Sequence, residues 1–213
     1  MTEAVRFHFD PICPWCYQTS RWLKRVAELG RVTLSWGLFS LELQNAGSEP
    51  ESLASVHARS RLALATAVAV RDDAGSDGVG VFYGAIGERV HERGEPLHDP
   101  ATVEAALHAA GLDAALAGRA EADHSYADRV AAEHRELVEQ TRSFGVPTLV
   151  LDAGRGPAIF GPVLGEPPAT DAEALELFDH VVWLAHYDNF SELKRDRVEL
   201  PDLMSVRNRQ RDG

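Results

Sequence analysis

Cysteine is scarce in this chain: two residues of 213, Cys13 and Cys16. So few exclude a disulfide-stapled scaffold, and no second C-x-x-C is present to complete a four-ligand zinc site. His8 and His91 stand alone and His134 has no companion at ligand spacing, so no metal is expected. Long apolar runs are missing too; no 18-residue stretch has the composition of a membrane-spanning helix. The first residues form neither a basic nor an apolar leader, and the cytoplasm is the expected compartment. Positive charge is in deficit, with 21 Lys and Arg against 33 Asp and Glu. The resulting net charge of −12 argues against nucleic acid as a partner. The glycines between Gly75 and Gly87 have no strand before them and no G-x-G-x-x-G spacing, so they do not make a nucleotide loop.

What is present is concentrated at Cys13-Pro14-Trp15-Cys16. Val5 to Asp10 alternates and is rich in β-branched and aromatic residues, which predicts a strand. Tyr17 to Glu28 predicts a helix with Trp22, Val26 and Leu29 on its apolar stripe and Gly30 as its stop. A C-x-x-C pair at a strand-to-helix junction is the thioredoxin-like redox arrangement. The chemistry needs that placement, because the nucleophile is a thiolate. Cys13 falls in the N-cap region, where the helix dipole favours negative charge. Pro14 falls at the first helical position, where its missing N–H costs nothing. Cys16, one turn deeper, can attack a mixed disulfide on Cys13 and release the partner. Cys13 is therefore the expected attacking thiolate and Cys16 the resolving thiol.

The rest of the chain fits an α/β protein. Strands are expected at 4–10 and 31–38, joined by the 13–29 helix as a right-handed βαβ unit. Residues 40–47 read as a loop. From 50 to 144 only helical signals appear, with a turn expected at 72–80, and 95 residues are too many for a loop. Strands return at 147–151 and 158–161, joined by turn residues as an antiparallel hairpin. Thr170-x-x-Glu173 is a capping-box signature and opens a last helix. An extended tail is expected from about 189. The order βαβ, helical block, ββα predicts a thioredoxin fold with a large all-helical insertion. Its segments are 1–47 for the first half, 48–143 for the insertion, 144–190 for the second half and 191–213 for the tail. The insertion is expected to form one wall of the active-site cleft.

Phe9-Asp10-Pro11-Ile12-Cys13-Pro14-Trp15-Cys16, the helical insertion and Phe144-Gly145-Val146-Pro147-Thr148 together resemble the DsbA-like family of thiol-disulfide oxidoreductases. Thr19-Ser20-Arg21-Trp22, Phe160-Gly161-Pro162-Val163-Leu164 and Glu192-Leu193-Lys194-Arg195 extend the resemblance to its actinobacterial branch of mycothiol-dependent nitroreductases. The resemblance implies a cis Pro147 beside the dithiol, with Val146 and Thr148 bordering the substrate. It also implies mycothiol as thiol co-substrate, a nitroaromatic-type electrophile or a disulfide as substrate, and no tightly bound cofactor. Many thioredoxin-like enzymes hold a buried acid six positions before the first cysteine. Phe7 stands there instead, so no general base is assigned, although His8 and Asp10 lie close by.

Further candidates carry two readings each. Trp15 and, more weakly, Tyr17 offer stacking surfaces for a substrate, or simply shield Cys13. Gly84, Gly87 and His91 form a stripe that either faces the dithiol, with His91 binding a carboxylate or hydroxyl, or packs against another element. Asn45 is either a ligand contact or a turn residue. Two other functions are compatible with the fold class. One is a hydroxychromene-carboxylate isomerase or kappa-class thiol transferase, against which the intact cysteine pair argues; the other is a non-catalytic binding module. Monomer and homodimer are equally compatible with the sequence.

Overall fold

The computed structural model describes residues 2–212. β1 (Glu3–Phe9), α1 (Pro14–Glu28) and β2 (Val32–Leu38) form the βαβ unit, with β1 and β2 parallel from Glu3↔Val32 to Phe9↔Leu38. β3 (Thr148–Val150) pairs antiparallel with β1, and β4 (Ala158–Phe160) antiparallel with β3, giving the order β2-β1-β3-β4. Between the halves run α2 (Leu41–Asn45), α3 (Glu51–His57), α4 (Arg61–Gly87), α5 (Pro100–Ala109), α6 (Ala115–Ala122) and α7 (Ser125–Thr141). After β3 come a one-turn element, α8 (Leu151–Gly154), then β4, α9 (Asp171–Ala185) and α10 (Met204–Asp212). This is the thioredoxin fold with a helical block between its halves.

Strand periodicity divides the block between the sheet's two faces. On one face Phe7 and Phe9 meet Trp36 edge to face, and Phe9 stacks on Tyr83 of α4 at 3.8 Å. Trp22 of α1 donates its indole N–H to the Ala174 carbonyl of α9 at 2.9 Å. On the other face Arg6 and Arg71 converge on Glu133 of α7, each at 2.7 Å, and the Leu38 N–H reaches the same carboxylate at 3.0 Å. Residues of the sheet and of the helical block belong to one continuous apolar core.

Three sequence expectations change. Residues 40–47 are not only loop: α2 forms there, capped by Ser40, whose hydroxyl accepts the Leu43 N–H at 3.2 Å. Residues 72–80 are not a turn but the middle of α4. The glycines that suggested a turn act separately: Gly75 (φ 68°) takes the one non-helical conformation, and a side chain at Gly80 would collide with the Trp36 ring. The tail is not extended to its end. α10 forms because Leu203 and Val206 have Tyr17 to pack against, a tertiary partner that local pattern does not reveal. The capping box at Thr170 and Glu173 is made in both directions, as expected.

Candidate active site

α1 begins where the strand ends. Cys13 is the N-cap and Pro14 opens the helix; the Cys13 Sγ accepts the Cys16 N–H at 3.3 Å. Both cysteines are free thiols. Cys13 is 6% exposed and Cys16 is fully buried. The Cys13 thiol is held below its ordinary pKa, first by the hydrogen bond from Cys16 and then by the Cys16 and Trp15 backbone N–H groups, against the opposing effect of burial. Cys16 is pushed up, by burial first, then by its hydrogen bond to Cys13 and by the charge on that sulfur. Cys13 is thus biased toward its thiolate and Cys16 toward its neutral thiol.

The Val146–Pro147 peptide is cis, as the resemblance implied, and the Val146 carbonyl lies 3.9 Å from the Cys13 Sγ. Gly161–Pro162 is also cis, and the Thr19 hydroxyl donates to the Pro162 carbonyl at 2.9 Å. Thr148 is buried and spends its hydroxyl on the Gly145 carbonyl at 2.8 Å.

A cavity of about 410 Å³ opens beside Cys13. Trp15 and Val146 line it, together with Ile12, Leu41 and His57. Its remaining wall comes from the C-terminal segment: Arg197, Leu200, Pro201, Val206, Arg209 and Gln210. The helical block supplies less of the wall than the sequence suggested, because the tail folds back over the dithiol. Arg209 donates to the Ile12 carbonyl at 3.1 Å, and the Arg197 guanidinium sits 5.2 Å from the centroid of the Trp15 ring.

Tyr17, Asn45 and His91 lie outside that lining. Tyr17 is buried under α10, with its hydroxyl on Glu92 at 2.6 Å. His91 is fully buried in contact with Tyr17. Its Nε2 lies 3.0 Å from the Pro11 carbonyl and its Nδ1 2.9 Å from the Ser205 hydroxyl. The reading of His91 as a substrate contact gives way to packing, because α10 covers the face that would have looked at the cleft. The same packing explains Gly87, where a side chain would strike the Tyr17 ring. Asn45 bonds the Leu41 carbonyl at 2.8 Å as a helix-end residue.

Asp10 is a residue the sequence left unassigned. Its carboxylate accepts the Ile12 N–H at 3.0 Å and the Leu41 N–H at 2.8 Å, which ties the loop before Cys13 to α2. Complete burial raises its pKa from 3.8 to about 6, against the lowering effect of those bonds. Among the described residues, Glu3, Asp152 and His186 alone gather ligand atoms within 4.8 Å of one another. They sit at the opposite end of β1 from the dithiol.

The family model described as "Rv2466c-like: Mycothiol-dependent nitroreductase Rv2466c" matches residues 12–195. A protein of Mycobacterium tuberculosis (strain H37Rv), described as uncharacterized protein Rv2286c, is 38% identical over 206 residues, covering 91% of this chain and 82% of its own. The cytosolic disulfide reductase DsbM from Pseudomonas aeruginosa superposes with a TM-score of 0.58 at 17% identity, over 85% of this chain and all of that one. A 2-hydroxychromene-2-carboxylate isomerase superposes equally well, at 0.58 and 15% identity, over 85% of this chain and 95% of its own. These two structures share the fold, and at such identity they speak to nothing further.

Proposed function

This chain belongs to the Rv2466c-like family of mycothiol-dependent nitroreductases, and from that premise we propose that it is a cytoplasmic thiol-disulfide oxidoreductase reduced by mycothiol. Its substrate is a small electrophile of nitroaromatic type, or a disulfide. The observation that carries this reading is the pair itself: a helix-capping Cys13 held toward its thiolate, with Cys16 one turn behind it and the cis Val146–Pro147 bond alongside.

In one cycle the Cys13 thiolate attacks a sulfur of a substrate disulfide. The new S–S bond forms as the old one breaks, and the departing thiolate takes a proton. Cys16 then loses its proton and attacks Cys13, which expels the second substrate thiol and leaves the Cys13–Cys16 disulfide. For a nitro group, the same two electrons and two protons carry it to the nitroso level with loss of water. Two molecules of mycothiol return the enzyme to the dithiol and leave as their own disulfide. The roles of Val146 and Trp15 are to border the substrate, since both line the cavity at the attacking sulfur. A low-molecular-weight thiol as reductant places the reaction in a reducing compartment.

The test is reduction of the oxidised protein by mycothiol, glutathione and thioredoxin separately, with turnover of a nitroaromatic followed in the native protein and in Cys13→Ser. Fast reduction by mycothiol and loss of turnover by at least about 10³-fold in the variant are expected, the scale for removal of a nucleophile. No reduction by any of the three thiols would move the protein to the isomerase-like or binding functions that its fold also serves, and turnover unchanged in Cys13→Ser would remove Cys13 as the nucleophile.

A further inference from the structure

Resting on the dithiol reading above, we infer that the cavity beside Cys13 takes substrates that carry a carboxylate, and that Arg197 and Arg209 select them. The charges around the cavity carry the inference. Among the described residues no Asp or Glu lines it, whereas two arginines do. Neither arginine has a carboxylate partner among the described residues. Arginines on the open surface, such as Arg119 and Arg135, are also without an ion pair there, but of these Arg197 and Arg209 are the two that line a cavity. In a chain with 33 acidic residues against 21 basic ones, unpaired arginines at one cavity are a local reversal of sign.

Both guanidinium groups are anchored without being neutralised. Arg209 is fixed by the Ile12 carbonyl, one residue before Cys13, and Arg197 lies over the Trp15 ring. Arg59 adds a third positive charge near Arg209. Of the acids nearby, Glu49 is engaged by His57 at 2.9 Å, and Asp10 is buried beneath the loop with both oxygens bonded to backbone N–H groups. The guanidinium fork matches a carboxylate in two parallel hydrogen bonds. Ile12, Trp15, Leu41, Val146, Leu200 and Val206 supply apolar surface for the body of the ligand. The ligand class is therefore a compact, largely apolar electrophile or disulfide with a carboxylate at one end.

Iodoacetate and iodoacetamide test this directly, because they differ in charge and share one chemistry. In both, the Cys13 thiolate forms an S–C bond as the C–I bond breaks and iodide leaves. A cation near Cys13 raises the thiolate fraction, which speeds both reagents alike, so the ratio of their rates isolates attraction of the anion. Rates on Cys13 of the reduced protein are read by mass spectrometry at low ionic strength, with 2-mercaptoethanol, a thiol with no other charged group, as reference. We expect the iodoacetate-to-iodoacetamide ratio to exceed the reference by about five-fold, the size of one screened charge contact. It should fall to the reference or below in Arg197→Gln/Arg209→Gln and recover in part in the corresponding Lys variants. A native ratio at or below the reference overturns the inference, as does a raised ratio that the double variant keeps. If Cys13 reacts slowly with both reagents, the dithiol reading itself fails and the selection falls with it.

Discussion

His8 and His91 are buried imidazoles whose pKa values fall from 6.5 to about 4, in both cases first because burial disfavours the cation. Between pH 6.5 and 4 the unfolded chain binds protons that the folded chain refuses. The stability these groups permit is complete above 6.5 and is lost as pH falls through that window, on the order of 3 kcal/mol for each. Asp10 works in the opposite direction. Its raised pKa keeps the folded state protonated up to about pH 6, so its burial costs stability as pH rises from 3.8 to 6. Among these three groups acidification from pH 7 to 4 sets two losses against one gain, and His134, also lowered by burial, adds to the losses, so the protein should become less stable. His91→Gln should be less stable at pH 7, through the lost contacts to Pro11 and Ser205, and should lose less on going to pH 4. Urea unfolding at the two pH values checks this. An unchanged drop in the variant would mean that His91 is not held neutral. The cysteine pair was fully legible as residues, since a strand, a C-P-W-C and a helix are contiguous in sequence. Arg197 and Arg209 were not: they fall in the stretch expected to be an extended tail, and only the return of that tail places them at Cys13.

α4 shows how an element can contradict its own composition. Asp72-Asp73-Ala74-Gly75-Ser76-Asp77-Gly78 has the residues of a turn, yet the helix continues through them with one kink at Gly75. Its second half is held by what it touches. Gly80 lets Trp36 approach the helix backbone, and the Gly80 carbonyl accepts from Lys24 at 2.9 Å. Gly80→Ala should gain helix propensity of about 1 kcal/mol but strike a ring that is locked by Phe7, Phe9 and Tyr83. The clash should win, with a net loss of about 1–3 kcal/mol in chemical denaturation; a stabilised variant would show that the ring can move. α10 was illegible for the related reason that the apolar residues that seat it, Leu203 just before the helix and Val206 within it, are too few to make a pattern without Tyr17 opposite. The elements that were read correctly, α1 and α9, carry their start signals locally: Cys13-Pro14 and Thr170-x-x-Glu173.

Across the whole molecule, Glu133 joins the helical block to the sheet. It draws on Arg6 of β1, the Leu38 backbone of β2 and Arg71 of α4. Burial works to raise its pKa, but Arg71 prevails and holds it low. Glu133→Ala leaves two partly exposed arginines without their acceptor. It should cost about 2–3 kcal/mol, less than a fully buried pair because both arginines keep some water. Thermal unfolding measures this, and a loss below about 0.5 kcal/mol would mean that the two parts are held together by the apolar core alone. The fold was legible because the order of elements fixes a thioredoxin core with an insertion. The cavity was only half legible, because one wall is built from residues nearly 200 positions away from Cys13.

The most direct measurement is intact-mass and peptide mass spectrometry of Cys16→Ser after exposure to mycothiol disulfide. A single mycothiol adduct located on Cys13, formed quickly and stable until a thiol is added, is the predicted result. An adduct that does not form, although Cys13 remains open to iodoacetamide, would contradict the proposal that Cys13 is the sulfur that exchanges with mycothiol.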